Sequence, residues 1–229
     1  MITERMTFDE LQNEIQCDME EVRNKSLSEF RLKALRRASM KRKHDIVYTW
    51  FFVNTSRRNR YACILSVNGW NNFKAGKIHQ YYVAIYDTDR GKYAVTRVHA
   101  KDLAFESRFV CRYQPHFFSR YAERTGLSLT GEDLILHYFV RNNLACMHID
   151  PLKRNENEFF SASTDGLALG YRDGNNVKFN TFIPYDDLGE TKYELSKEEV
   201  KYLHEMMIDK FGGILEYEPI NNKEYYGKN

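Results

Sequence analysis

The sequence predicts an α+β fold with a mainly antiparallel sheet, segregated helices and a long N-terminal helical arm. Three observations lead there. Apolar residues recur every three or four positions through the first forty residues, the period of an amphipathic helix. From Asp45 the period shortens to that of strands, in short runs rich in β-branched and aromatic residues. The regular β-α alternation that a doubly wound parallel sheet requires is missing. The expected organisation is an arm over residues 1–44 and one α+β domain over 45–229.

The arm opens on Thr7 with Glu10 three places on, a capping box in which each side chain satisfies the other's backbone amide. Phe8, Leu11, Ile15, Met19 and Val22 form its stripe, and Leu27, Phe30, Ala34 and Ala38 resume one. No Pro or Gly interrupts the segment, so it reads as one helix or two joined near Asn24. "IVYTWFFV" and "RYACILSVNG" are strands around the polar turn "NTSRRN", and "WNNFKAGK" reads as a loop. "HQYYVAIYDTDRGKYAVTRV" is a hairpin pattern whose Gly91 supplies a positive φ. After the strand "ESRFVCRY", Pro115 suits the first turn of a helix and Gly126 its end. Thr130 opens a second helix carrying Leu134, Ile135, Tyr138 and Phe139. "DPLKRNEN" is a loop, and "GLALGYRDGNNVKFNTFI" is a further hairpin. Ser196 caps a last helix that Gly212 and Gly213 end, and the polar tail after it frays.

Composition narrows the function classes. A chain of 229 residues with 42% apolar residues buries enough surface to fold without a metal or disulfide. Cys17, Cys63, Cys111 and Cys146 show no framework spacing, which points to reduced thiols and a cytoplasmic setting. No apolar run reaches the roughly 18 residues of a membrane span, and no signal-peptide core is evident. The common phosphate-loop, dinucleotide, zinc-protease and hydrolase motifs are missing, so no cofactor is expected. Cys146, His148 and Asp150 alternate along one strand face, with Cys111 and His137 as supplements, but their spacing is not that of a zinc site and no metal is expected.

Two basic groups remain. His116, Arg120 and Arg124 are spaced four apart and share a helix face. An imidazole near neutrality moves protons and fixed guanidiniums stabilise phosphate charge, the chemistry of metal-independent RNA cleavage. The same spacing also describes the wet side of a helix whose Phe117, Tyr121 and Leu127 pack inward. The second group is the run "RLKALRRASMKRKH", with seven Lys or Arg and no acid between Arg31 and Lys43. Arg36, Arg37, Lys41, Arg42 and Lys43 in it are candidate phosphate contacts. The bland alternatives are a helix end carrying its preferred bases, or pairing with the acids upstream.

"PHFFSRYAERTGL" resembles the His-x₃-Arg-x₃-Arg helix entry of toxin-type ribonucleases of the RelE-like superfamily, grouped with barnase, EndoU and colicin nucleases. The likeness of pattern and order runs over residues 107 to 188, from "SRFVCRY" through "GEDLILHYFVRN" to the hairpin. It implies a ribonuclease-like module in which His116 transfers protons and Arg120 and Arg124 clamp phosphate. The family's strand threonine is not matched, because Val177, Phe179, Thr181 and Ile183 alternate on one apolar face by strand parity. The leading expectation is such a module acting on RNA. The alternatives are a nucleic-acid binder without turnover, and an interaction protein that docks its N-terminal helix on a partner or a second copy.

Overall fold

A computed structural model describes residues 1–41, 46–98, 109–142, 146–149, 158–190 and residue 205. The chain divides into two compact units, Met1–Tyr86 with Glu216–Asn229, and Asp87–Leu215. Helices and a mostly antiparallel sheet give the α+β class. The expected last helix and polar tail lie outside the described residues apart from helical Glu205, as does the loop 150–157.

In the first unit α1 (Phe8–Ser26) begins on the expected capping box at Thr7 and Glu10. It stops at Leu27, and α2 (Glu29–Lys41) starts from Ser28, whose carbonyl accepts the amides of Arg31 and Leu32. Serines on both sides of the break explain it: the Ser26 hydroxyl turns back onto the Arg23 carbonyl at 2.9 Å, competing with helix continuation. The expected junction near Asn24 is thus a real break, three residues later. Strands β1 (Ile46–Asn54), β2 (Arg60–Asn68) and β3 (His79–Thr88) pair antiparallel in that order. Between β2 and β3, Gly69–Lys74 is the short helix α3, where the sequence reads as a loop. Trp70 and Phe73, one turn apart, stack at 5.7 Å across it. Residues 61–67 of β2 are all buried, so both faces of that strand are covered. The expected boundary at residue 44 falls inside this unit, where α1 packs on β1 and α2 on β1 and β2.

The apolar stripe of α1 is not purely apolar. Phe8, Leu11, Ile15 and Val22 are buried as expected, but so are Glu14 and Asp18, whereas Met19 is only half-buried. The acids meet the β1–β2 turn. Asn59 donates to Glu14 at 2.9 Å and to Asp18 at 2.6 Å, and the Tyr61 hydroxyl donates to Asp18 at 2.8 Å. Arg57 closes the group with an ion pair to Glu14 and lies 3.8 Å from Asp18. Arg58, with φ of 63°, makes the bend that points its neighbours inward.

In the second unit β4 (Gly91–Val98), β5 (Phe109–Tyr113), β9 (Asn176–Pro184), β8 (Gly166–Asp173), β7 (Glu158–Ser163) and β6 (Cys146–Ile149) lie in that spatial order. The β5–β9 pairing is parallel and the others are antiparallel. Helices α4 (Pro115–Thr125) and α5 (Gly131–Asn142) occupy the stretch between β5 and β6, with Pro115 at the first position of α4 and Gly126 left-handed at its end, as expected. Tyr113 is the hub of their core, with ring centroids 5.2 Å from Phe117, 5.0 Å from Phe139 and 4.7 Å from Phe179. A 3-10 helix, Tyr185–Glu190, follows β9.

The alternation expected through β9 breaks at Asn180. Thr181 pairs with Leu169 and Phe179 with Gly170, leaving Asn180 as a bulge. Past it the faces exchange. Phe179 and Phe182 both reach the helices, at 6.2 Å and 6.3 Å from Phe117, while Ile183 joins Phe160, Ala162, Leu167 and Leu169 in a separate core. Thr181 is accordingly half-buried and not beside Phe179. Gln114, just before α4, donates to the displaced Asn180 at 2.8 Å. A side chain at Gly170 would meet the Lys178 carbonyl at 2.2 Å, so the tight approach needs glycine.

Arg57 beside Glu14 holds that carboxyl down to about 2, from an ordinary 4.5. Its stabilising effect is therefore full above about 4.5 and is lost as pH falls toward about 2. Equilibrium denaturation across that window should show stability falling with acid, and Glu14→Gln should flatten the fall; an unchanged slope would remove Glu14 as a contributor.

Candidate functional site

The face of α4 that carries His116, Arg120 and Arg124 is turned outward, while Phe117, Phe118 and Tyr121 are buried. His116 and Arg120 do come together: the Arg120 Nε lies 3.4 Å from His116 Nε2. Arg120 also pairs with Glu123 at 2.8 Å. Arg124 leans the other way and donates to the Phe182 carbonyl of β9. Both arginines thus already hold protein acceptors. A groove of about 460 Å³ does border α4, but along Pro115, Phe118, Ser119 and Ala122, close to the opposite side of the helix. None of the three predicted residues lines it.

The basic run has a different fate. Arg36, Arg37 and Lys41 are exposed on α2, and no ion pair engages them among the described residues. Lys33 pairs with Glu29 at 3.2 Å. None of the described upstream acids pairs with these three positions, and four of those acids have other partners. Glu10 caps the helix, Glu14 holds Arg57, Asp18 takes Tyr61 and Asn59, and Glu21 pairs with Lys25 at 2.6 Å. Arg42 and Lys43 lie outside the described residues. Met40, 47% exposed, sits among the free cations.

Among the described residues of the second unit, the most densely hydrogen-bonded acid is Asp165, in the turn between β7 and β8. Arg141 grips it through Nε at 2.9 Å and Nη2 at 2.8 Å. The Tyr121 hydroxyl of α4 donates to it at 2.7 Å, and Asn142 Nδ2 at 3.1 Å. Asn142 Oδ1 in turn accepts from the Asp165 amide and the Ser163 hydroxyl. Burial alone would raise the Asp165 carboxyl, but Arg141, Tyr121 and Asn142 outweigh it and hold it below its ordinary value. His137 joins through Nδ1, 3.2 Å from the Tyr121 oxygen. Burial lowers the His137 imidazole from its ordinary value, Asp165 raises it and Arg141 lowers it again, for a net fall.

The sequence pattern marked His137 only as a supplementary metal ligand and left Asp165 and Arg141 unmarked. Its one available signal was the four-residue spacing of His137 and Arg141 on a helix; their meeting with a turn twenty-four residues beyond Arg141 is a tertiary fact. No group of metal-ligating side chains forms among the described residues. Asp150 and the side chains of Cys146 and His148 lie outside that set. Cys17, Cys63 and Cys111 form no disulfide. The α1 stripe proposed for docking is largely buried, which leaves its apolar side chains unavailable to a partner. No described helix is long and apolar enough to cross a membrane.

No protein-family model, no curated protein and no solved structure matches this chain.

Asp165→Asn removes the charge that Arg141, Tyr121 and Asn142 converge on and should cost roughly 2–3 kcal/mol in urea denaturation. The exposed Arg120–Glu123 pair should be worth under about 0.5 kcal/mol when Arg120 is replaced by Ala. Equal losses in the two variants would contradict this ranking.

Proposed function

We propose that this protein binds nucleic acid, RNA in the first instance, through the phosphate backbone and without turnover, using Arg36, Arg37 and Lys41 on α2. The observation that carries the reading is the contrast between two basic groups. The α2 cations are exposed and unengaged among the described residues, whereas Arg120 and Arg124 already hold acceptors. A cation free of carboxylate partners loses little on meeting a phosphate, and binding gains from release of condensed counterions. Three charges within two helical turns follow a phosphate backbone without reading bases. No aromatic side chain is interleaved among them, so contact by charge is favoured over base stacking.

The test is the salt dependence of affinity for a single-stranded RNA oligomer. Replacing Arg36, Arg37 and Lys41 together by Gln should reduce the slope of log affinity against log salt by about 2, at roughly 0.7 per contact. A slope that does not move removes α2 from the interface.

A second reading, a metal-independent ribonuclease, keeps one favourable observation: His116 is exposed with the Arg120 guanidinium 3.4 Å away. That arrangement predicts RNA cleavage that persists in EDTA and is abolished by His116→Ala with an unchanged melting temperature. Intact RNA at high protein concentration argues against it.

A further inference from the structure

His137 is held by one hydrogen bond, to Tyr121, and that bond fixes where its proton sits. The Tyr121 hydroxyl has one hydrogen, and it lies 2.7 Å from Asp165 Oδ2. Asp165 is a carboxylate held by Arg141 and has no hydrogen to give in return. The Tyr121 oxygen therefore donates to Asp165 and can only accept from its other neighbours. Those are Asn142 Nδ2 at 3.4 Å and His137 Nδ1 at 3.2 Å. His137 must then carry its hydrogen on Nδ1, which leaves the lone pair on Nε2. That atom has no hydrogen-bond partner among the described residues and is not among the polar atoms sealed from solvent without one. His137 is half-buried, so the ring is anchored on one edge and open on the other.

We propose that His137, and not the more conspicuous His116, is a preorganised proton acceptor, the outer member of an Asp165–Tyr121–His137 relay, suited to a substrate whose hydroxyl must lose its proton. On approach, Nε2 takes the hydroxyl proton and the oxygen keeps the bonding pair. The ring becomes an imidazolium whose charge Asp165 offsets through the Tyr121 hydroxyl. Every charged or titratable group shown to act on the ring takes part. Asp165 on the β7–β8 turn favours the protonated product, burial and after it Arg141 on α5 disfavour charge on the resting ring, and Tyr121 on α4 is raised by burial and by Asp165. The relay belongs to the second unit and does not depend on the phosphate contacts of α2.

Long-range proton–nitrogen correlation on the ¹⁵N-labelled full chain near pH 8 reads the tautomer directly, with His137→Gln assigning the signal. The expected result is a protonated Nδ1 and an unprotonated Nε2. In Tyr121→Phe the ring should revert to the ordinary Nε2–H form. Diethyl pyrocarbonate gives a second readout: the ring nitrogen bonds to a carbonyl carbon as ethyl carbonate departs with the broken bond's electron pair. Modification of His137 should slow about fivefold in Tyr121→Phe, with His116 and His79 unchanged. An Nε2–H ring in the unaltered chain overturns the proposal, as does a Tyr121→Phe rate equal to that of the unaltered chain. Should Tyr121→Phe not fold, the tautomer of the unaltered chain decides alone.

Discussion

A carboxylate taken out of water must be given its hydrogen bonds back by the protein, and that requirement organises both units. Asp18 is 1% exposed and Glu14 is 7% exposed. An unpaired charge at such depth would cost several kcal/mol, so the chain must bring donors to it. It does so by folding the β1–β2 turn over α1, where Arg57, Asn59 and Tyr61 arrive together. Asp165 imposes the same demand on the second unit and is met by α4 and α5. In each case the acid selects one packing of helix against strand turn, which apolar contact alone would leave free to slide.

This demand also sorts the cations. Arg57 and Arg141 are taken up by buried or half-buried acids. Arg120 and Arg124 settle on nearby acceptors that the helix and β9 supply. Glu10, Glu14, Asp18 and Glu21 upstream of α2 are committed elsewhere, and Arg36, Arg37 and Lys41 remain available among the described residues. Surplus charge at one place follows from the arrangement of internal pairs, and the chain's small net charge of +2 conceals it.

The aromatic core fixes how α4 and α5 sit on their sheet. Tyr113 meets four other rings of that core besides Phe179, and Phe182 reaches the same cluster because the bulge at Asn180 resets the strand's facing. Without the extra residue, Phe182 would point to the opposite face and Tyr121 would lose its ring neighbour at 4.9 Å. Tyr121 then presents its hydroxyl to Asp165 and His137 from a fully buried ring packed against Tyr138 and Phe182. The polar relay depends on the packing of apolar rings.

By itself the sequence determined what local energetics control. The capping box at Thr7, the Pro115 and Gly126 boundaries of α4, the strands and the α+β class all follow from backbone stereochemistry and hydrophobic period, which act within a few residues. It also located the free cations of α2, since a run of seven bases without an acid is visible as it stands. Tertiary structure decided the rest. The Ser26 hydroxyl beside the helix break also meets the Tyr82 hydroxyl of β3 at 2.9 Å, and the burial of Asp18 in place of Met19 depends on donors at Asn59 and Tyr61. The facing of Thr181 turns on one unpaired residue in a ladder. The engagement of Arg124, and the choice of His137 over His116 as the anchored imidazole, rest on contacts across the fold. Hydrogen bonds and ion pairs act over about 3 Å and ignore distance along the chain, so a periodic pattern can place a side chain on a face but cannot say what it will meet there.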